Sequence, residues 1–373
     1  MRIGLVSDVY LPRLGGIEMH VHDLAVGLKA AGHAVTVFTL TDTPAAGGDV
    51  PVVRLAGLPA ATDELARRLR DFDVVHAHSS LFSPLAWRAT RLSSRYGVPA
   101  VITMHSLPAS GGLVVPWMLA RLDHGFGTVQ WTAVSEVVAD ELRCALPRRT
   151  IQILHNGIDP EPWRRPVRRE HPLTVVSTLR FAHRKRPMAL LRILRDIRQQ
   201  VPVDVPVRAV VVGTGPQATA VTRAARRGGM EWVELPGRLT RYEIQQLYAT
   251  ADVYLAPARL ESFGVAALEA RCAGLAVVAM ASGGVGEFVR PGLEGFLVAD
   301  DRAMATVTAE LLSDQARLRA IQEHNSSTDP RMTWTAVLDE HVQTYRRLTQ
   351  PALSDEFLAS QLMEVPTIVE LDR

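Results

Sequence analysis

Apolar positions along the chain fall into two alternating patterns. Short continuous runs, such as Arg2 to Ser7 (RIGLVS), Ala34 to Leu40, Val98 to Met104 and Trp131 to Ser135, read as strands covered on both faces. Between them, apolar residues recur at three- or four-residue spacing. Ile17 to Ala31 (with Val21, Leu24, Ala25 and Leu28), the charged Asp63 to Arg70 and Glu136 to Leu146 read as helices, the last with Ser135 placed to cap it. Gly111 to Trp131, which carries Trp117, Met118, Leu119 and Phe126, reads as a core helix, with an interfacial membrane helix as the second reading. The alternation stops between Pro160 and Pro172, a Pro- and Arg-rich stretch without apolar periodicity, and then restarts. Leu173 to Thr178, Arg208 to Val212, Trp232 to Gly237, Ala251 to Ala256 and Ala276 to Met280 read as strands. Leu239 to Thr250, Val265 to Ala273, a single long segment from Arg302 to Gln322, and Trp334 to Leu348 read as helices. The pattern predicts an α/β protein of two Rossmann-like domains, residues 1–158 and 170–331, joined through the Pro/Arg stretch. Residues 351–373 hold Pro351, Pro366 and several acids without a usable period, and are expected to form a tail.

Composition narrows the function classes. With 373 residues, 47% of them hydrophobic, two sizeable cores are affordable. The formal net charge of +2 gives no polyanion signal, so no nucleic-acid partner is expected. Basic residues nevertheless crowd the middle: Arg164, Arg165, Arg168, Arg169, Arg180, Arg184, Lys185 and Arg186. Such a run is ordinarily a solvated face, and here it is also placed to attract phosphates. Cys144 and Cys272 lack metal spacing and are expected to be buried thiols in a reducing compartment. Asp8 closes a very short first apolar run, which argues for a strand and against a signal peptide. No run approaches a membrane span. The expectation is a cytoplasmic protein, with peripheral contact to the inner membrane face left open.

The stretch Pro257 to Glu287 is the best candidate for chemistry. Two apolar strands each deliver a loop, Glu261-Ser-Phe-Gly264 and Gly283-Gly284, to one sheet edge. The first loop opens a helix, whose free N–H groups and macrodipole suit an anion. Glu261 and Glu269 stand eight positions apart, roughly 12 Å along a helix axis, which is not a whole number of turns. They suit two ends of an elongated polar ligand. A solvated Glu261, with Glu269 paired to Arg271 or a neighbour, accounts for the same spacing. His76 and His78 share one strand face, but neither a cysteine nor a carboxylate cluster accompanies them, so no metal site is expected. Asp71-Phe-Asp73 imitates a metal-binding Asp-x-Asp, but it precedes a strand where a loop tip would be needed.

Glu261-x-Phe-Gly-Val-x-x-x-Glu269-Ala resembles the E-x7-E signature of retaining nucleotide-sugar glycosyltransferases with the GT-B fold, of the family-four type. Further pieces recur in order up to about Leu348. The resemblance implies two facing domains with a cleft between them, and a C-terminal helix, 332–350 with Trp334, that crosses back to the N-domain. It implies a hexose transferred from a UDP- or GDP-sugar to an acceptor hydroxyl, without a metal or other cofactor. Arg180 and Lys185 keep the five-residue spacing of the family's diphosphate-binding pair. Thr178 and Arg186-Pro187 depart from its pattern and put the loop's shape in doubt. By the same resemblance Glu261 holds the sugar and His105, from Thr103-Met-His105, lies over it. Ser262, Phe263, Gly264 and Val265 lie beside the phosphate, Glu269 holds the ribose, and Gly237 and Arg238 lie against the base. Gly16 approaches the donor, His78 lines the acceptor side, His76 is structural, and Glu287 follows the Gly-Gly loop in a structural role. Cations fixed near a departing diphosphate stabilise the charge that develops as the glycosidic bond breaks.

Two rival classes remain open at this point. Gly213-Thr-Gly215-Pro-Gln-Ala218, with Glu234 downstream, fits the dinucleotide fingerprint of an NAD-dependent oxidoreductase, although it follows the second strand of its domain. A sugar-nucleotide binding protein without turnover would carry the same residues. The motifs lean weakly towards inositol-lipid acceptors; a cell-surface glycan or a natural-product intermediate is equally open.

Overall fold

The computed structural model describes residues 1–13, 15–43, 50–107, 114–164 and 172–350. The expected tail, 351–373, and the basic residues Arg165, Arg168 and Arg169 lie outside them.

The continuous apolar runs form two parallel sheets. Strands β1 (Arg2–Ser7), β2 (Ala34–Thr39), β3 (Val52–Arg54), β4 (Val74–Ser79), β5 (Ala100–Met104), β6 (Gln130–Ala133) and β7 (Ile151–Ile153) assemble in the order β3-β2-β1-β4-β5-β6-β7. Strands β8 (Leu173–Thr178), β9 (Val207–Val212), β10 (Val233–Gly237), β11 (Val253–Ala256), β12 (Ala276–Met280) and β13 (Gly295–Val298) assemble as β10-β9-β8-β11-β12-β13. Every recorded pairing is parallel. Helices cover both faces, which is why these strands carry no polar alternation. In each sheet the winding reverses beside the first strand, at β1/β4 and at β8/β11. Loops leaving the strand ends there open into a crevice.

The last helix, Trp334–Thr349, returns to the N-terminal half as expected. Ile158 and Thr333 form a bridge, with Ile158 N–H donating to the Met332 carbonyl and Trp334 N–H to that of Ile158, both at 2.9 Å. The helix seats on two glycines. A β-carbon on Gly157 would meet the Trp334 ring at 2.5 Å, and one on Gly27 would meet Leu338 at 2.6 Å. One apolar cluster is shared by the two halves and includes Trp163, Tyr248, Phe263 and Met332.

Three expectations need correcting. The segment Arg302 to Gln322 is two helices, Asp301–Ser313 and Gln315–Ser327, because Asp314 leaves helical geometry and accepts from the Arg317 N–H at 3.0 Å. Gly111 to Trp131 contains only a short helix, Val114–Asp123, before β6; residues 111–113 lie outside the described residues. Trp117 projects from that helix 70% exposed, while Trp131, on β6, is buried with Nε1 donating to Asp123. Of the two cysteines, Cys272 is buried but Cys144 is exposed, on the polar face of the helix Glu136–Ala145.

Arg186 explains how the departure from the family pattern is tolerated. It adopts the left-handed conformation (φ 57°) between a short 3-10 turn, His183–Lys185, and the helix Pro187–Gln200. Side chains other than glycine resist that region. Its guanidinium forks onto Asp301, at 2.9 and 2.8 Å, and also donates to the Pro257 carbonyl at 2.9 Å. Replacing Arg186 by Ala removes these bonds and keeps the strain; replacing it by Gly removes both. Chemical denaturation should find Arg186→Gly more stable than Arg186→Ala by about 1 kcal/mol. Equal stabilities would show that the left-handed turn carries no strain.

Candidate active site

The site begins at the second sheet's reversal point. The turn after β8 carries Arg180 and Lys185, and the loop after β11 carries Glu261. Lys185 Nζ donates to Glu261 Oε2 at 2.5 Å, so these two loops converge, as the sequence reading required. Arg186 ties the same loops together through Pro257. The glycine pair completes the clamp: Gly284 N–H donates to the Glu261 carbonyl at 2.8 Å, and a β-carbon on Gly284 would strike the Ser262 carbonyl oxygen at 2.3 Å. Arg180 is exposed on the same turn, and its guanidinium makes no hydrogen bond or ion pair among the described residues. Gly264 (φ 94°) enters the helix Val265–Cys272, and no side chain caps its start. Ser262, Gly264 and Val265 are half-buried, and Phe263 packs against His155 and Phe288.

The N-terminal half contributes histidines. His105 follows β5, at the strand's C-terminal end, and is 8% exposed. His78, on β4, is sealed behind it, with its Nδ1 and His105 Nε2 3.0 Å apart. His76 is locked by Tyr345 Oη at 2.7 Å and Thr103 Oγ1 at 2.6 Å. Burial pushes His105 down to about 3, with His341 adding to the effect, so the imidazole is neutral in the physiological range.

The halves touch directly beside the Glu261 loop. Ser135 Oγ, which also caps its own helix, donates to the Ser262 carbonyl at 2.6 Å. Glu287 accepts from the Glu136 N–H at 2.6 Å and pairs with His155 at 3.0 Å. Glu287 therefore has a structural task, bridging the two halves.

Comparison with known proteins identifies the family. Residues 14–162 match the model of Glycosyltransferase Family 4, and residues 172–314 that of Glycosyl transferases group 1. A GDP-mannose-dependent alpha-(1-6)-phosphatidylinositol monomannoside mannosyltransferase of Mycobacterium tuberculosis is 30% identical over 359 residues, covering 86% of this chain and 91% of its own. The chain belongs to this glycosyltransferase family.

A D-inositol 3-phosphate glycosyltransferase of Catenulispora acidiphila is 29% identical to this glycosyltransferase over 391 residues, covering 89% of this chain and 90% of its own. Anabaena HepE, solved with UDP-glucose, shares the fold with TM-score 0.77 and 19% identity, covering 93% of this chain and 100% of that one. The protein is thus a GT-B glycosyltransferase, with its returning helix in place.

The remaining candidates are dispersed around the clamp. Gly16 starts the helix Gly16–Ala30 and is exposed. Gly237 ends β10 in a left-handed conformation, with its carbonyl accepting from Gly213 N–H, and Arg238 beyond it is exposed. The dinucleotide-like turn lies after β9, the second strand of its sheet, and Glu234 is held by the Arg208 guanidinium at 2.6 and 2.8 Å. Asp73 of the Asp-x-Asp mimic is bound by Arg2 at the opposite end of the first sheet.

Glu269 pairs with Arg241, at 3.9 Å, and not with Arg271, whose guanidinium is taken by Thr328. Neither Arg241 nor Asp23, a third charge acting on Glu269, was legible as its neighbour, because both are distant in sequence. His20 was likewise missed: it sits four residues after Gly16 on a helix, and only the fold brings it to His78 and His105.

Burial pushes Glu269 up to about 7, against the attraction of Arg241 and with help from Asp23. Its side chain is 18% exposed. Between about 4.5 and 7 the folded carboxyl keeps a proton that the unfolded one has released, so this group's contribution to stability falls as pH rises through that window. Urea denaturation at pH 5, 6, 7 and 8 should show Glu269→Gln losing less stability with rising pH than the wild type. Parallel profiles would refute the raised value.

Proposed function

We propose that this glycosyltransferase transfers a hexose from a UDP- or GDP-sugar to an acceptor hydroxyl, with retention of anomeric configuration. The observation that carries the reading is the Lys185–Glu261 contact, because it gathers a cation and a carboxylate from two loops at the mouth of the β8/β11 crevice. The donor's diphosphate takes Lys185 and the unengaged Arg180. Glu261, released from Lys185, accepts hydrogen bonds from the sugar hydroxyls. The amides at the start of the helix Val265–Cys272 lie beside the phosphate, Glu269 receives the ribose, and Gly237 and Arg238 flank the base. His105, neutral and at the rim, faces the sugar as a hydrogen-bonding group without charge. Gly16 lies towards the donor and His78 behind His105.

No enzymic nucleophile is required. As the bond from the anomeric carbon to the diphosphate oxygen breaks, negative charge grows on the leaving phosphate and is met by Lys185 and Arg180. The acceptor oxygen forms its new bond on the same face, and its proton passes to that phosphate. Charge neutralisation by side chains leaves no step that needs a divalent metal.

The relatives support a nucleotide-sugar donor: one is by name GDP-mannose-dependent, and HepE was solved with UDP-glucose. They also keep an inositol-type acceptor in view, since two act by name on inositol phosphate or a phosphatidylinositol monomannoside. We place the protein at the cytoplasmic side. No helix among the described residues is long and apolar enough to cross a membrane, and Trp117 and Phe82 are exposed on the N-terminal half, available to a membrane-borne acceptor.

A thermal-shift panel of UDP- and GDP-sugars against NAD, followed by measurement of released nucleoside diphosphate with chelator present, tests the reading. A shift with one nucleotide sugar, chelator-resistant release and an α-linked product from an α-linked donor are expected. Stabilisation by NAD alone would overturn it, and a shift without release under any acceptor would leave a binding protein. Lys185→Ala should lower kcat/KM by about 10²–10³-fold. Its stability should fall by no more than about 1 kcal/mol, since the pair is partly solvated. Turnover like the wild type in a folded Lys185→Ala protein would remove Lys185 from the mechanism.

A further inference from the structure

The N-terminal half holds five histidines packed into one buried group: His20, His76, His78, His105 and His341, each at most 8% exposed. Three of them, His20, His78 and His105, each offer a ring nitrogen, and these nitrogens all lie within 4.8 Å of one another. They arrive from three different elements, the helix Gly16–Ala30, β4 and the residue following β5, so their mutual placement is fixed by the fold.

Two buried nitrogens there have no hydrogen-bond partner among the described residues, Nδ1 of His20 and Nε2 of His78. Leaving such a group unpaired in the interior is costly. His76, by contrast, has both ring nitrogens bonded, and His341 Nδ1 bonds the Val337 carbonyl at 2.7 Å. Of the two orphans only the His20 nitrogen bears on ligation, since His78 meets His105 through Nδ1.

We propose that His20, His78 and His105 form a binding site for one borderline-soft transition-metal ion, of the Zn²⁺ or Co²⁺ type, held through three neutral imidazoles. His78 Nδ1 and His105 Nε2 are already 3.0 Å apart, close to the roughly 3.4 Å that two nitrogens take around a tetrahedral zinc ion. In the metal-free form one hydrogen bridges them. Metal binding moves that hydrogen to the other nitrogen of the same ring, which frees both lone pairs without releasing a proton. The nitrogen that His20 offers lies within 4.8 Å of the other two and must close on them, and its Nδ1 has no hydrogen bond to give up. Burial and the neighbouring imidazoles hold all three rings neutral, the form that ligates. The set contains no carboxylate, so Mg²⁺, Ca²⁺ and Mn²⁺ have no claim on it. The site does not depend on the transfer reaction. Only its consequence rests on that reading: an ion that engages His105 withholds it from the donor sugar.

The test uses the full chain, freed of any affinity tag and treated with chelator. Titration with Co²⁺ should saturate at one ion per chain, with the visible absorption of a four-coordinate nitrogen-ligated ion. Zn²⁺ should displace it, and excess Mg²⁺ should not. His20→Asn and His78→Gln should each weaken binding at least about 10-fold, while the exposed His124→Gln leaves it unchanged. Should either core variant misfold, X-ray absorption at the zinc edge of the wild-type protein decides, by showing three imidazole ligands. No stoichiometric uptake, binding unaffected by both core substitutions, or an oxygen-dominated ligand sphere would overturn the proposal. A failure of the transferase reading would show in the donor assays and would not alter this titration.

Discussion

The proposed chemistry of the second half depends on one ion pair placed where the sheet reverses direction. Lys185 and Glu261 come from loops that leave adjacent strands, β8 and β11, in opposite directions around the crevice. Their contact keeps a cation and an anion within reach of one ligand before any ligand arrives. Around it, Arg186 binds the Pro257 carbonyl and Asp301, and Gly284 presses against the Ser262 carbonyl, so both loops are pinned from outside the pair. A partly solvated pair of this kind adds little stability by itself. Its value lies in preorganisation: in the proposed reaction, diphosphate and sugar exchange for the two partners of a contact that already has the right span.

The two halves supply opposite electrostatics. The C-terminal half presents charges, Arg180, Lys185, Glu261 and Arg241, at the strand tips, with the carboxyl of Glu269 beside them pushed up to about 7 by burial. The N-terminal half presents buried imidazoles that burial holds neutral, with hydroxyls from Thr103, Thr132 and Tyr345 behind them. In the proposed reaction the diphosphate lies against the first and the uncharged sugar against the second. Between them, Ser135 and Glu287 stitch the domains at the edge of the Glu261 loop, so the spacing of the two surfaces is set by hydrogen bonds as well as by the shared apolar cluster.

Much of this was legible in the sequence, for a physical reason. Parallel strands covered on both faces must be apolar throughout, so the strands announced themselves, and the loss of periodicity after Pro160 marked the junction. The Arg180–Lys185 and Glu261–Glu269 spacings were legible because each pair sits within one short segment. What escaped was either a local break or a contact made through space. Asp314 interrupts a helix whose apolar period runs on across it, and an exposed Trp117 carries no sequence mark that separates it from a buried one. Arg186 stands in a left-handed turn because Asp301, more than a hundred residues away, holds it. His20, and the Arg241 beside Glu269, were hidden for the same reason.

The returning helix ties the first sheet to a segment far downstream of it. The first sheet ends with β7, at Ile153, yet the histidine layer behind its strand tips is finished by Trp334, His341 and Tyr345. A ribosome that has made the whole N-terminal half has therefore made an unfinished one. His76 waits for its phenol, and Gly27 and Gly157 leave open the grooves that Leu338 and Trp334 later fill. The C-terminal half is synthesised entirely within that delay. A chain lacking that helix would hold a complete second sheet beside a first half without its cover, so a contact made late in the sequence completes a domain begun early.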